Sequence, residues 1–239
     1  TVRRSILALN DISFGYLTIH GQGGKKMIEQ AKKAAGEIKS KPKILMVTIL
    51  TTLNDDDLKT MGNNVSVIQQ VKKLAKLAKE NGVSRFVYAS SQSMYGLSDN
   101  MQELDEEKSQ KKPVTSYAKT KWESEIEIKK LNCSNFVVSC FRPSTVFGLS
   151  PRLRCDIVFN NFVACAFTTG KIEILSDGSP WRPVVHINDV CQAFLSGIEA
   201  PAEIIGGKAF NVGLPDGNFT VKKLAETAKK FVPKCELVY

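Results

Sequence analysis

Residues 63–95 read NNVSVIQQVKKLAKLAKENGVSRFVYASSQSMY. Two periods meet in this stretch. Val67, Ile68, Val71, Leu74, Ala75 and Ala78 recur at helical spacing with lysines between them, which predicts an amphipathic helix over 64–81. Gly82 follows, where a glycine that ends a helix belongs. Residues 85–90 (RFVYAS) then form an apolar run of strand length, ending in Ser90, Ser91 and Ser93. A strand of this kind, preceded by a helix, is the building unit of a parallel sheet covered on both faces.

The same alternation continues outward. Upstream, 44–52 (ILMVTILTT) is a β-branched run of strand length. Downstream come a polar, acidic loop over 97–112, a helix over 116–131 and a strand over 136–141 (FVVSCF). After Gly148 the pattern loosens. A helix is expected over 156–169, a strand over 171–175, a helix over 188–200 with Asp189 in its first turn, and a short strand over 209–212. Thr220 is placed as the N-cap of a helix over 221–231. The fold class is therefore α/β. A parallel sheet with helices on both faces should occupy residues 1–148, and a small C-terminal lobe 149–239, with 209–213 returning to the core sheet.

Composition sets the bounds. The chain has 239 residues, 43% hydrophobic and 24% charged, which suits a folded globular protein and excludes a disordered one. No apolar run reaches the roughly 20 residues a membrane helix needs. The net charge of +9 is uneven: residues 1–43 carry nine basic side chains against three acidic ones. A solvated lysine-rich helix face accounts for that excess better than nucleic-acid binding does. Six cysteines with no CxxC spacing, several of them inside apolar runs, read as reduced thiols in a cytoplasmic protein. Two histidines do not make a zinc site, so no metal is expected.

Ligands of parallel α/β sheets bind beyond the C-terminal ends of the strands. Ser90, Ser91 and Ser93 follow one strand, and Arg142, Pro143, Ser144 and Thr145 follow another. Between them stands Tyr117-x-x-x-Lys121, two side chains on one face of a helix. An ammonium beside a phenol stabilises the phenolate and lowers a pKa of about 10, so a tyrosine tuned in this way can act as a general base on an alcohol.

The ordered set GVSRFVYASSQSMYG, SYAKTKWESE, FRPSTVFG, LSDGSPWRPVVHINDV and AFNVG, covering residues 44–239, resembles the extended short-chain dehydrogenase/reductase family in its NAD-dependent nucleotide-sugar epimerase/dehydratase branch. The resemblance implies a Rossmann-type sheet, NAD as cofactor (NADP being possible) and a nucleotide-sugar substrate. It implies Ser91, Tyr117 and Lys121 as catalytic residues. Ser90, Pro143 and Thr145 would join Tyr117 and Lys121 around the cofactor. Ser93, Asn161, Phe162 and Arg182 would contact substrate, and Asn64 would pin its helix to the sheet. Family members often pair through two long helices, here 64–81 and 116–131, which implies a homodimer. His186 and Asp189 are read as structural, Trp122 and Trp181 as packing residues, and Arg152 and Arg154 as either phosphate contacts or surface ion pairs.

Two departures matter. Dehydratases of the branch follow the catalytic threonine with an Asp-Glu pair. Here Gln92 and Ser93 follow Ser91, and neither can exchange a proton near neutral pH. That disfavours water elimination and leaves oxidation with re-reduction, the chemistry of an epimerase or, alternatively, a reductase. The second departure is the missing G-x-x-G-x-x-G turn. Residues 16–19, the glycines Gly21, Gly23 and Gly24, and a helix over 25–36 give strand, turn and helix in the right order with the wrong spacing. The acidic residue expected after the second strand is not identifiable. The resemblance thus implies a chain incomplete at both ends or, as a further alternative, a cofactor-deficient binding protein.

Overall fold

The protein is described by a computed structural model over residues 1–50, 52–96 and 104–239. Its elements, in chain order, begin with α1 (Val2–Leu7), β1 (Tyr16–His20), α2 (Gly24–Glu37), β2 (Lys43–Val47), α3 (Asp55–Thr60), α4 (Val67–Glu80) and β3 (Arg85–Ala89). Next come α5 (Ser116–Lys129), β4 (Val137–Pro143), β5 (Thr145–Phe147), α6 (Val158–Thr169) and β6 (Lys171–Glu173). The chain closes with β7 (Trp181–His186), α7 (Ile187–Glu199), α8 (Ala202–Ile205), β8 (Ala209–Val212), β9 (Asn218–Thr220), α9 (Val221–Phe231) and β10 (Glu236–Val238). They fall into two compact units. One comprises Thr1–Phe86 and Lys119–Val138; the other comprises Val87–Ala118 and Ser139–Tyr239. The architecture is the expected Rossmann-type α/β, with parallel strand pairs flanked by helices.

The first unit opens with a βαβ unit. β1 and β2 run parallel, Tyr16 opposite Lys43 through His20 opposite Val47, with α2 as the crossover. Ile28, Ala31, Ala34 and Ala35 on α2 are buried, and its lysines lie on other faces. Ile6, Ile19, Ile28, Ala31, Ala34 and Ile38 form the core, joined by Leu17, Met27 and Met46. The strand predicted over 44–52 stops at Val47 because its partner stops at His20, where a 3₁₀ turn over Gly21–Gly23 begins.

The helix predicted over 64–81 starts at Val67. Ser66 is its N-cap: the Gln69 backbone N–H donates to Ser66 Oγ at 3.3 Å, and the Ser66 N–H donates to Gln69 Oε1 at 3.2 Å. This reciprocal pair satisfies two otherwise orphaned donors, so Asn64 and Val65 are left outside the helix. Gly82, at φ +77°, lies just beyond the C-cap, as a helix-terminating glycine should. α3 repeats the device with Asn54 and Asp57.

In the second unit β4 runs parallel to β8, with Cys140 opposite Ala209 and Pro143 opposite Val212. β5 pairs in parallel with β7, and β7 pairs antiparallel with β9. Phe141, Val185 and Val212 centre one core, with Phe194 and Phe210 packed against it. Gly197 of α7 makes room for the Phe141 ring, since a Cβ there would stand 2.5 Å from Phe141 Cε2. A second core gathers Phe162, Ala166, Ile172, Val184, Leu224 and Ala228. All six cysteines are free. Among the described residues no helix is long and apolar enough to cross a membrane.

Candidate active site

The end of β3 supplies the first hydroxyls. The Ser90 backbone N–H donates to the Phe141 carbonyl at 2.8 Å, and Ser90 is buried. The chain then turns through one 3₁₀ turn, Gln92–Tyr95, with Ser91 as its N-cap. Ser91 Oγ accepts the Ser93 backbone N–H at 3.2 Å and the Ser93 hydroxyl at 2.9 Å. The Tyr117 phenol, in the first turn of α5, is also hydrogen-bonded to Ser91. Two of the hydroxyls singled out in the sequence, Ser93 and Tyr117, therefore meet at a third, Ser91.

The electrostatics differ from the expectation. Tyr117 was expected to be tuned downward by a neighbouring ammonium; instead its pKa lies above the ordinary value. Burial of the phenol is the largest cause. The Ser91 hydrogen bond and the positive charge of Arg154 pull the other way and are outweighed. Half of the residue's surface is open, yet its hydroxyl end is desolvated enough to favour the neutral form. Lys121 lies one turn along the same helix and belongs to the first unit. It is 7% exposed, and burial lowers its pKa from 10.5 to about 8. Arg154 is held by Asp156, a surface ion pair that leaves its charge close enough to act on Tyr117.

Pro143 ends β4 and Thr145 opens β5. Between them Ser144 is 8% exposed and its hydroxyl has no hydrogen-bond partner. A Cβ built on Gly213 would lie 3.8 Å from that hydroxyl and 3.6 Å from Gln92 Nε2, so Gly213 leaves open space beside both. A buried, unsatisfied hydroxyl costs free energy unless a ligand or water completes it, which makes Ser144, placed at a strand exit by the sequence but given no role there, a candidate contact.

The remaining candidates lie on α6, on β7 and at the start of α7. Asn161 donates through its amide to the Cys155 carbonyl at 3.0 Å, and Asn160 to the Arg154 carbonyl at 3.1 Å. Both asparagines of α6 thus fix the loop that carries Arg154. The Phe162 side chain is buried in the second core, so only its backbone is available to a ligand. Arg182 is exposed on β7, its guanidinium donating to the Trp181 carbonyl. His186 caps α7 by accepting the Asn188 N–H at 3.3 Å and packs over Gly148, while Asp189 lies in the first turn of α7. Both agree with a structural reading.

A buried polar network was not legible in the sequence. Arg142, 1% exposed, donates to the Tyr95 hydroxyl at 2.7 Å and to the Glu106 carbonyl at 2.9 Å. Tyr95 donates to Asn211 Oδ1 at 2.8 Å, and Glu106 Oε1 accepts the Asn211 backbone N–H at 2.7 Å. The network ties part of the acidic segment to the ends of β4 and β8; residues 97–103 of the predicted loop lie outside the described residues. The only advance signal was the pairing of an arginine with proline at a strand exit.

A family model described as the NAD dependent epimerase/dehydratase family matches residues 51–213. The chain belongs to that family. Its members are NAD-dependent enzymes of the extended short-chain dehydrogenase/reductase type. Solved structures share the fold. MoeE5 in complex with UDP-glucuronic acid and NAD is 17% identical, with a TM-score of 0.70 over 100% of this chain and 82% of that one. A UDP-glucuronic acid 4-epimerase from Bacillus cereus is 16% identical, with a TM-score of 0.66 over 100% of this chain and 81% of that one. DesIV, a dTDP-glucose 4,6-dehydratase from Streptomyces venezuelae, is 18% identical, with a TM-score of 0.63 over 99% and 80%.

The curated relatives are of another kind. Orotidine 5'-phosphate decarboxylase from Saccharophagus degradans is 36% identical over 80 residues, 34% of this chain and 34% of that protein. The decarboxylase of the same name from Novosphingobium aromaticivorans is 40% identical over 87 residues, 36% of this chain and 38% of that protein. The chain thus spans about a third of the length of these curated relatives.

Proposed function

We propose that the protein is an NAD-dependent nucleotide-sugar epimerase, inverting one carbon of the sugar through a keto intermediate. The observation that carries this reading is the hydrogen bond between Tyr117 and Ser91, with Gln92 and Ser93 rather than carboxylates beside it. NAD, when bound, takes up a hydride and gives it back. The second unit fits its nicotinamide end: Ser144 offers an unsatisfied buried hydroxyl at the strand ends, between Pro143 and Thr145.

Tyr117 removes the proton from the sugar hydroxyl, and Ser91 donates to the same oxygen as it becomes a carbonyl. Arg154 favours the ionised phenol against its desolvation. Because the phenol pKa lies above its usual value, the base is scarce at neutral pH and turnover rises on the alkaline side. Lys121 orients the cofactor ribose, Ser90 lines the cofactor side, and Ser93, Asn161, the Phe162 backbone and Arg182 serve the nucleotide sugar. A cytoplasmic homodimer pairing through α4 and α5 belongs to the same reading.

Tyr117→Phe keeps the ring and removes the proton acceptor. Turnover should fall by roughly a thousandfold, the scale of general-base catalysis, while nucleotide-sugar affinity stays within threefold. Unchanged turnover would refute the assignment. Absorbance of the reduced nicotinamide separates the runner-up: a reductase consumes the reduced cofactor mole for mole, whereas an epimerase recycles it.

A further inference from the structure

The first unit does not offer what the adenosine half of a dinucleotide requires. In parallel sheets of this class, glycines at the first strand–helix turn let the backbone approach the pyrophosphate, and an acidic residue after the second strand holds the ribose. Here the space beside Gly21 and Gly23 is taken by the protein's own side chains, while a Cβ on Gly24, at φ +76°, would meet nothing within 4 Å. A Cβ on Gly21 would lie 2.9 Å from Met46 Cε and 3.2 Å from the Val47 carbonyl; one on Gly23 would lie 2.6 Å from Met27 Cε. These glycines accommodate methionines of the first core, not a ligand.

The acidic residues that follow β2 are already engaged. Asp55 accepts the Val67 backbone N–H at 2.7 Å, Asp57 accepts the Asn54 N–H at 2.8 Å, and Asp56 pairs with Lys59 at 2.9 Å. Among the described residues, the buried unsatisfied hydroxyl nearest in sequence to this turn is Ser40, before β2 rather than after a strand.

The comparisons do not divide at one point: the decarboxylase likeness, at 80 residues, is longer than the stretch before the family match. The epimerase/dehydratase model begins at residue 51, and the longer of the two stretches it leaves uncovered is 1–50. The decarboxylase likeness, at 36% identity, occupies only about a third of the chain. A strand–helix–strand unit is common to parallel sheets and to barrels, so backbone likeness alone does not reveal its parent.

We infer that residues 1–50 stand in place of the family's dinucleotide-binding first half, and that the chain holds NAD by its nicotinamide end alone. This rests on the function proposed above. Adding the adenosine half should then bring almost no affinity. Calorimetry or saturation-transfer NMR on the full chain, with NAD and with nicotinamide mononucleotide titrated in parallel, tests it. Dissociation constants within tenfold of each other are expected, with no competition from ADP. NAD binding tenfold or more tighter than the mononucleotide, or displacement by ADP, would overturn the inference while leaving the epimerase reading intact. Absence of binding by both would sink the epimerase reading and this inference with it. Gly23→Ala supplies a second readout: NAD affinity should be unchanged, whereas a pyrophosphate-binding turn would lose it.

Discussion

The two units spend their polar groups differently. In the first, carboxylates, amides and hydroxyls cap helices: Asn54 with Asp57, Ser66 with Gln69, and Asp55 on the start of α4. In the second, polar groups meet across long sequence distances. Ser91 gathers Ser93 and Tyr117, Arg142 joins Tyr95 to Glu106, and Ser144 is left with a hydroxyl unmatched. Local capping uses up helix-end donors, and the buried polar atoms left without partners in the first unit, on Ser40, Gln70 and Arg85, stand apart from those caps. Long-range convergence, and especially a buried group without a partner, is where binding and proton transfer become possible.

Each unit contains one tryptophan, Trp122 in the first and Trp181 in the second, so single-tryptophan variants can follow them separately. The contrast breaks most visibly at Arg142. Removing one member of a buried charged network costs about 3–5 kcal/mol, because the groups left behind stay desolvated. Arg142→Leu should therefore move the denaturant transition reported by Trp181 by that amount and leave the Trp122 transition in place. A common shift of both would show that the network does not belong to the second unit alone.

Lys121 gives the next largest effect, in the first unit. Its folded pKa, about 8, lies below the ordinary lysine value of 10.5. Between those two values the unfolded chain binds more protons, so stability climbs as pH rises through the window, and below pH 8 the full cost of a buried ammonium remains. Burial of 93% of the residue bounds that cost at about 3 kcal/mol. Relative to Lys121→Met, the wild-type Trp122 transition should gain stability between about pH 8 and 10.5. A parallel pair of curves would remove burial as the cause.

The smallest effect sharpens the site. Arg154→Gln deletes the charge that opposes desolvation of Tyr117, so the phenol pKa rises further and the acidic limb of kcat/KM moves to higher pH. The expected displacement is about one unit or less, as befits an exposed charge. An unmoved limb would assign the titration to another group.

Much of the architecture was readable because its signals were local. The strand over 209–212 and the helix over 221–231 behind Thr220 occur at the predicted positions, since a cap and a helical period are properties of neighbouring residues. The three-residue strands β5 and β9 were not, because their existence depends on lying beside β7. At the site, spacing placed Tyr117 and Lys121 on one helix and left the direction of the phenol shift wrong. Desolvation is set by what packs around a group, and no i, i+4 pattern encodes it. The Arg142 network joins residues more than a hundred positions apart and was hidden for the same reason.

The loop before α6 carries a practical opportunity. Cys155 is exposed, its carbonyl is anchored by Asn161, and it adjoins the arginine whose charge reaches Tyr117. With the other exposed thiol, Cys191, replaced by serine, a maleimide dye at Cys155 becomes an optical sensor beside the phenol. Candidate sugars could then be screened for occupancy without waiting for turnover.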